Sequence, residues 1–176
     1  MKTTPTLIAA IVALSLSSCH KVEDEKPAQA TTASPKLQAV IDAEVEGEAQ
    51  AIHIARKSAE PGQTLTLKGW VMGHDEPFVQ GRAAFILGDP EVITACSERP
   101  GDGCTTPWDV CCDDPEDIKR GTVSIQVVND DGRVLKEGIE GVGGIEKLSK
   151  LRVTGTVAEG STPERLVINA SAIDLQ

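Results

Sequence analysis

Five short stretches of this 176-residue chain alternate apolar with polar side chains, a two-residue period that commits most of it to half-buried β-strands. Leu65, Leu67 and Val71 alternate with Thr64, Thr66 and Lys68, and after a turn from Gly73 to Gly81 the pattern returns at Ala83, Phe85 and Leu87. Val123, Ile125 and Val127 mark a third strand, Leu151, Val153 and Val157 a fourth, and Leu166, Ile168 and Ala170 a fifth. Asn129-Asp130-Asp131-Gly132 is strong turn chemistry, after which Arg133 to Lys136 returns as a short strand extension. The glycine-rich segment from Gly141 to Lys150, with Ile145 and Leu148 three apart, predicts a short helix between the third and fourth strands. Ala49 to Ala59 lacks Gly and Pro and reads as a short helix, although Ile52 and Ile54, two apart, suit a strand as well. With two Trp, two Phe and no Tyr, the core must be built from Val, Ile, Leu and Ala.

The N-terminus carries an export signal. Lys2 supplies a positive start, Leu7 to Leu14 is an uncharged apolar run, and Leu16-Ser17-Ser18 brings small residues before Cys19. The apolar run is too short to span ~30 Å of hydrocarbon, so it reads as a leader over 1–18 rather than a membrane helix. Leu16-Ser17-Ser18-Cys19 resembles a lipobox, which implies cleavage before Cys19 and attachment of lipid to it. Several acyl chains hold a protein on a membrane far better than one. By the same resemblance, His20 in place of Asp after the cysteine favours the outer membrane, with the domain facing the periplasm or exterior. Residues 19–48, rich in charge, Ala, Gln, Thr and Pro, have little to bury and are expected to form a flexible tether. The folded domain is expected over 49–176, enough for one core.

Five strands with a short helix between the third and fourth is the element order of the OB-fold, a small Greek-key barrel. The expected architecture is therefore mainly β: a five-stranded OB-fold-like barrel with a short helix and a cysteine-rich insertion at about 90–121. An open sandwich of five or six strands fits the same alternation. Leu67-Lys68-Gly69-Trp70-Val71, the run from Arg82 to Asp89, and Leu151 to Val157 resemble OB-fold barrel strands. Pro77-Phe78-Val79-Gln80-Gly81-Arg82-Ala83 and Thr106-Pro107-Trp108-Asp109-Val110-Cys111-Cys112 resemble uncharacterised planctomycete-type envelope lipoproteins with a TPWDxCC cysteine loop. That resemblance spans most of Pro61 to Leu175 and implies a fold, with no activity attached to it.

All four cysteines beyond Cys19, namely Cys96, Cys104, Cys111 and Cys112, fall in the insertion between the second and third strands. In an exported chain, four cysteines in a loop rich in Pro and Gly are expected to form two disulfides. A direct Cys111–Cys112 bridge strains the backbone, so each is expected to pair with Cys96 or Cys104. The alternative is a zinc or copper site, with Glu98, Asp102, Asp109, Asp113 and Asp114 as nearby oxygen donors, or thiol redox chemistry. Against ordinary zinc sites stands the spacing, which contains an adjacent pair and no two cysteines separated by two residues. Trp108 is expected to form the apolar nucleus of the loop, and Trp70 either to cap the barrel or to face solvent. Trp70, Arg82, Trp108 and Asp109 together form a candidate ligand surface.

Catalysis has little support. His20, His53 and His74 sit in the tether, a weak helix and a turn, and no Ser or Cys occupies a nucleophile motif. Gly138 to Gly144 lacks a phosphate-loop lysine, and Asp113-Asp114-Pro115-Glu116-Asp117 fails the EF-hand pattern. The formal net charge of −10 becomes −11 once Lys2 leaves with the leader, which opposes nucleic acid and anionic headgroups as partners. The expected protein is a non-catalytic envelope binding module without a cofactor. It is held on the membrane by lipid and recognises an envelope protein or a small ligand; the alternative is a metal or thiol redox protein.

Overall fold

The computed structural model describes residues 33–101, 103–162 and 164–176. The leader, Cys19 and the start of the expected tether lie outside the described residues. Among those described, no helix is long and apolar enough to cross a membrane.

The five expected strands all form: β2 (Thr64–Val71), β3 (Ala84–Gly88), β4 (Thr122–Gln126), β5 (Lys150–Val157) and β6 (Val167–Leu175), preceded by a two-residue β1 (Gln50–Ala51). They close into a barrel in the order β2-β3-β4-β6-β5, with β5 returning to β2 along seven antiparallel pairs from Thr64–Thr156 to Trp70–Lys150. Among the described residues, only β4–β6 and the short β1–β2 contact are parallel. This is the expected OB-type barrel. Closure leaves the small sheet no long free edge, and β1 covers β2 at Leu67 and Lys68, before β3 joins it at Trp70 and Val71.

Strand alternation puts Leu65, Leu67, Val71, Phe85, Val123, Ile125, Leu151, Val153 and Ile168 into one core. At Gly69 the β2 backbone runs so close to β3 that a Cβ would stand 2.6 Å from the Gly88 carbonyl and 2.8 Å from Leu87 Cγ. Glycine is what lets the two strands meet there. The Asn129 turn also forms as expected, with Leu135 N–H donating to Val127 O at 3.0 Å and Val128 bridging Val134.

Three local expectations change. Pro35–Asp42, inside the expected tether, is a helix, α1, capped by Ser34, whose hydroxyl accepts from Leu37 N–H at 3.2 Å. Leu37 is fully buried in the barrel core together with Val40, and Ser34 N–H donates to Glu137 at 2.8 Å. Leu37, Val40 and Ile41 are three and four apart, a single helical turn's worth of apolar signal that the polar surroundings conceal. The helix expected after Gly141 shrinks to one 3₁₀ turn, Val142–Gly144, because Gly141, Gly143 and Gly144 all take positive φ. A Cβ on Gly143 would collide with Ile41, so this glycine admits α1 to the end of the barrel. Finally, the ambiguous Ala49–Ala59 segment is both things in turn: β1, then one helical turn, α2 (Ile52–Ala55), with Ile52 and Ala55 buried and Ile54 exposed.

A buried carboxylate holds α2 in place. Asp89, 1% exposed at the end of β3, accepts from His53 N–H at 3.0 Å and Glu91 N–H at 3.0 Å, and lies 2.8 Å from His53 Nδ1. His74 and Asp75, adjacent in sequence, are 3.5 Å apart and exposed, as expected of a solvated turn.

Replacing Leu37 with Ala is expected to cost about 3 kcal/mol, the usual range for emptying a fully buried leucine site. Urea unfolding of the two proteins measures it, and a loss below about 0.5 kcal/mol, typical of surface positions, would return α1 to the tether.

Candidate metal centre

Among the described residues, the chain between Gly88 and Thr122 contains no strand. It consists of a turn over Asp89 to Ile93, a 3₁₀ turn at Cys96–Glu98, a loop, and the short helix α3 (Pro115–Gly121) leading into β4. Its two halves are bonded to each other: Cys96 N–H donates to Asp109 O at 2.8 Å, and Ser97 N–H to Pro107 O at 3.0 Å. Asp113 joins them again, accepting from Thr94 N–H at 2.9 Å and pairing with Arg99 at 2.5 Å. The hydrogen bond that Arg99 donates to Asp113 is the main reason its guanidinium is held above its ordinary pKa. Asp113 is therefore an internal brace rather than part of a solvated acidic face.

The insertion shares a second, smaller apolar cluster with the barrel. Met72, Ile93, Ala95 and Val110 are buried there, with Trp70 and Leu148 packed against them. Val110, not Trp108, forms the nucleus of the loop. Trp108 is half-buried and acts as a clasp: its indole N–H donates to Asp75 O at 2.7 Å, its carbonyl accepts from Gly73 N–H at 3.2 Å, and Lys147 Nζ sits 4.0 Å above its ring. Lys147 is itself held by Glu76 at 2.7 Å. The insertion is thus seated on two loops that barrel closure brings together.

This framework makes three of the four sulfurs converge. Cys96, Cys104 and Cys111 lie within 4.8 Å of one another, with Cys96 Sγ 3.9 Å from Cys111 Sγ. Cys96 is buried, Cys104 half-buried and Cys111 exposed, so the cluster opens toward solvent from a protected base. Cys112 is exposed and stands outside this set. At a Zn–S bond of ~2.3 Å, two thiolates of a tetrahedral site lie ~3.8 Å apart, which is the spacing of the Cys96–Cys111 pair.

Beside the sulfurs stands Asp109, 6% exposed. Its Oδ2 accepts from Thr106 Oγ1 at 3.5 Å, and Thr106 Oγ1 is 3.1 Å from Cys104 Sγ. Its Oδ1 is buried with no hydrogen-bond partner among the described residues. The Cys111 thiol is pulled down by its hydrogen bond with Cys96, but desolvation, the contact with Cys112 and the charge of Asp109 outweigh this and leave its pKa above the ordinary value.

The candidate ligand surface does not assemble as one patch. Trp70 is half-buried on the outer side of β2, with Lys150 Nζ 4.7 Å over its ring, and lines a groove of about 270 Å³ with Met72, Pro90 and Ile93. Arg82 lines a different groove, of about 260 Å³, on the outer side of β3 and β4. Asp109 is buried within the insertion and lines neither groove. Alternation along β2 turns Trp70 outward, and the insertion draws Trp108 and Asp109 inward. No protein-family model, curated protein or solved structure matches the chain.

Asp113→Ala removes an acceptor from both Arg99 and the Thr94 N–H. It is expected to destabilise the protein by about 1–3 kcal/mol. Faster amide exchange confined to the insertion, with the barrel strands unchanged, is the signature to look for.

Proposed function

We propose that the protein is a non-catalytic binding module of the cell envelope, anchored by lipid on Cys19, whose ligand is a thiophilic metal ion, zinc or copper(I). The observation that carries this reading is the convergence of Cys96, Cys104 and Cys111 within 4.8 Å. Two disulfides join four sulfurs in pairs. Three sulfurs around one point, with Cys112 touching Cys111 but outside the trio, suit a coordination site better. Soft thiolates select zinc or copper(I) over magnesium or calcium. Attachment of the insertion at Trp108, Val110 and Asp113 supports the same reading, because it holds the loop in place without crosslinks.

The export signal and the resemblance to envelope lipoproteins with a TPWDxCC loop support the address. A second reading keeps the cysteines structural: the Cys96 and Cys111 sulfurs are 3.9 Å apart and a small movement brings them to bonding distance.

One experiment separates the two. Protein purified without reductant is measured for metal by mass spectrometry, then denatured in chelator and alkylated with and without reductant. The metal reading expects about one zinc or copper per chain and alkylation of all four loop cysteines without reductant. Absence of metal, with alkylation appearing only after reduction, would mean disulfides. Anchoring is checked separately: Cys19→Ser is expected to move the protein from the membrane to the soluble envelope fraction or to block its maturation, and wild-type fractionation and mobility would refute the lipobox.

A further inference from the structure

A protein that binds a metal ion either keeps it or passes it on, and the difference lies in how the ligands meet solvent. Structural zinc sites close their coordination with protein donors, whereas sites that act on something outside keep one side open.

The three convergent sulfurs are graded outward. Cys96 is buried, Cys104 half-buried and Cys111 exposed, so an ion held among them has a protected side and an open one. The protected side is braced. Cys96 N–H donates to Asp109 O at 2.8 Å, and Cys104 Sγ lies 3.1 Å from Thr106 Oγ1.

On the open side the chain runs straight into another sulfur. Cys112 is exposed, touches Cys111, and lies outside the trio. It is not a ligand in this arrangement, and a bridge to its neighbour Cys111 would strain the backbone. Near it stands a cation. Arg99, held by Asp113, is close enough to feel the charge of both Cys112 and Cys96, which puts one guanidinium within reach of the exposed sulfur and the buried one.

We infer that this centre exchanges its ion with a thiol-bearing metal carrier, and that Cys112 is the relay sulfur through which the ion enters and leaves. The inference rests on the metal reading above. On release, the Cys112 thiol gives its proton to water and its sulfur bonds the ion. The Cys111–metal bond breaks in the same step, and Cys111 takes up a proton. Thiolates of the carrier then replace the remaining protein sulfurs one by one, each protein sulfur leaving as a thiol with a proton released by the carrier. The ion keeps its oxidation state throughout, so no oxidant or reductant is involved. Thiolate for thiolate is an exchange between equally soft donors, which suits zinc and copper(I) alike.

The test uses the whole mature chain in detergent, loaded with Zn(II) or Cu(I), and measures affinity and transfer rate separately. Dithiothreitol serves as the acceptor. Wild-type transfer is expected to accelerate with dithiothreitol concentration; a rate independent of the acceptor would mean unaided dissociation and would overturn the exchange. Cys112→Ser is expected to slow transfer severalfold while leaving affinity within about twofold of wild type, and Cys96→Ser to lower affinity by more than about a hundredfold, beyond the range of outer-shell changes. An unchanged transfer rate in Cys112→Ser would overturn the relay while leaving the metal reading intact. An affinity loss as large as that of Cys96→Ser would make Cys112 a resident ligand, which also overturns it. Failure of the wild type to bind either ion overturns the metal reading itself. Should Cys112→Ser not fold, iodoacetamide treatment of the loaded wild type decides. One adduct, at Cys112, with the ion retained and transfer slowed supports the relay; adducts elsewhere, loss of the ion or undiminished transfer rejects it.

Discussion

Closure of the barrel by β2 and β5 is the constraint on which the rest depends. Seven antiparallel pairs join strands separated by some eighty residues of chain, while Gly69 lets β2 come close to β3 and Gly155 lets β5 come close to β6. Once β5 lies on β2, the loop after Val71 and the loop before Lys150 face each other. Leu148 N–H donates to Val71 O at 2.8 Å, and Val71 N–H to Ser149 O at 2.9 Å. Met72, Asp75, Glu76, Lys147 and Leu148 are thereby assembled into one seat.

The insertion uses that seat. It is too small and too polar to bury a core of its own, so it borrows Met72 for its apolar cluster and clasps the two loops with Trp108. The cross-bonds from Cys96 to Asp109 and from Thr94 to Asp113 then set the spacing of its halves. The sulfurs converge as a result of this framework: Cys96 and Cys111, fifteen residues apart, meet because both flank the Val110 anchor and the paired backbone beside it. At the opposite extreme of the chain, α1 packs against β6 and fills the core with Leu37 and Val40.

Much of the barrel was legible before any coordinates. A period of two needs no tertiary information, since each strand declares its buried face in its own residues, and all five strands lie where the alternation puts them. The turn at Asn129 was legible for the same reason, its chemistry being local. The errors fell where a single turn of apolar spacing competed with composition. Leu37 and Val40 sit among Pro, Gln and Lys, and Ile145 and Leu148 sit beside glycines whose positive φ ends a helix. Trp108 misled in another way, because an aromatic in a cysteine loop is an obvious nucleus, and yet its indole N–H and ring face found better partners outside the loop.

By itself, then, the sequence determined the strand faces, the acidic balance and the confinement of four cysteines to one insertion, all of which follow from local pattern and count. Only the tertiary structure decided which three cysteines converge, that Asp109 is buried with an unpaired oxygen, and that a buried Asp89 holds His53. Those outcomes depend on contacts between residues far apart in the chain or on the packing of one loop against another. No spacing rule encodes such contacts, because they exist only after β2 and β5 have closed the barrel.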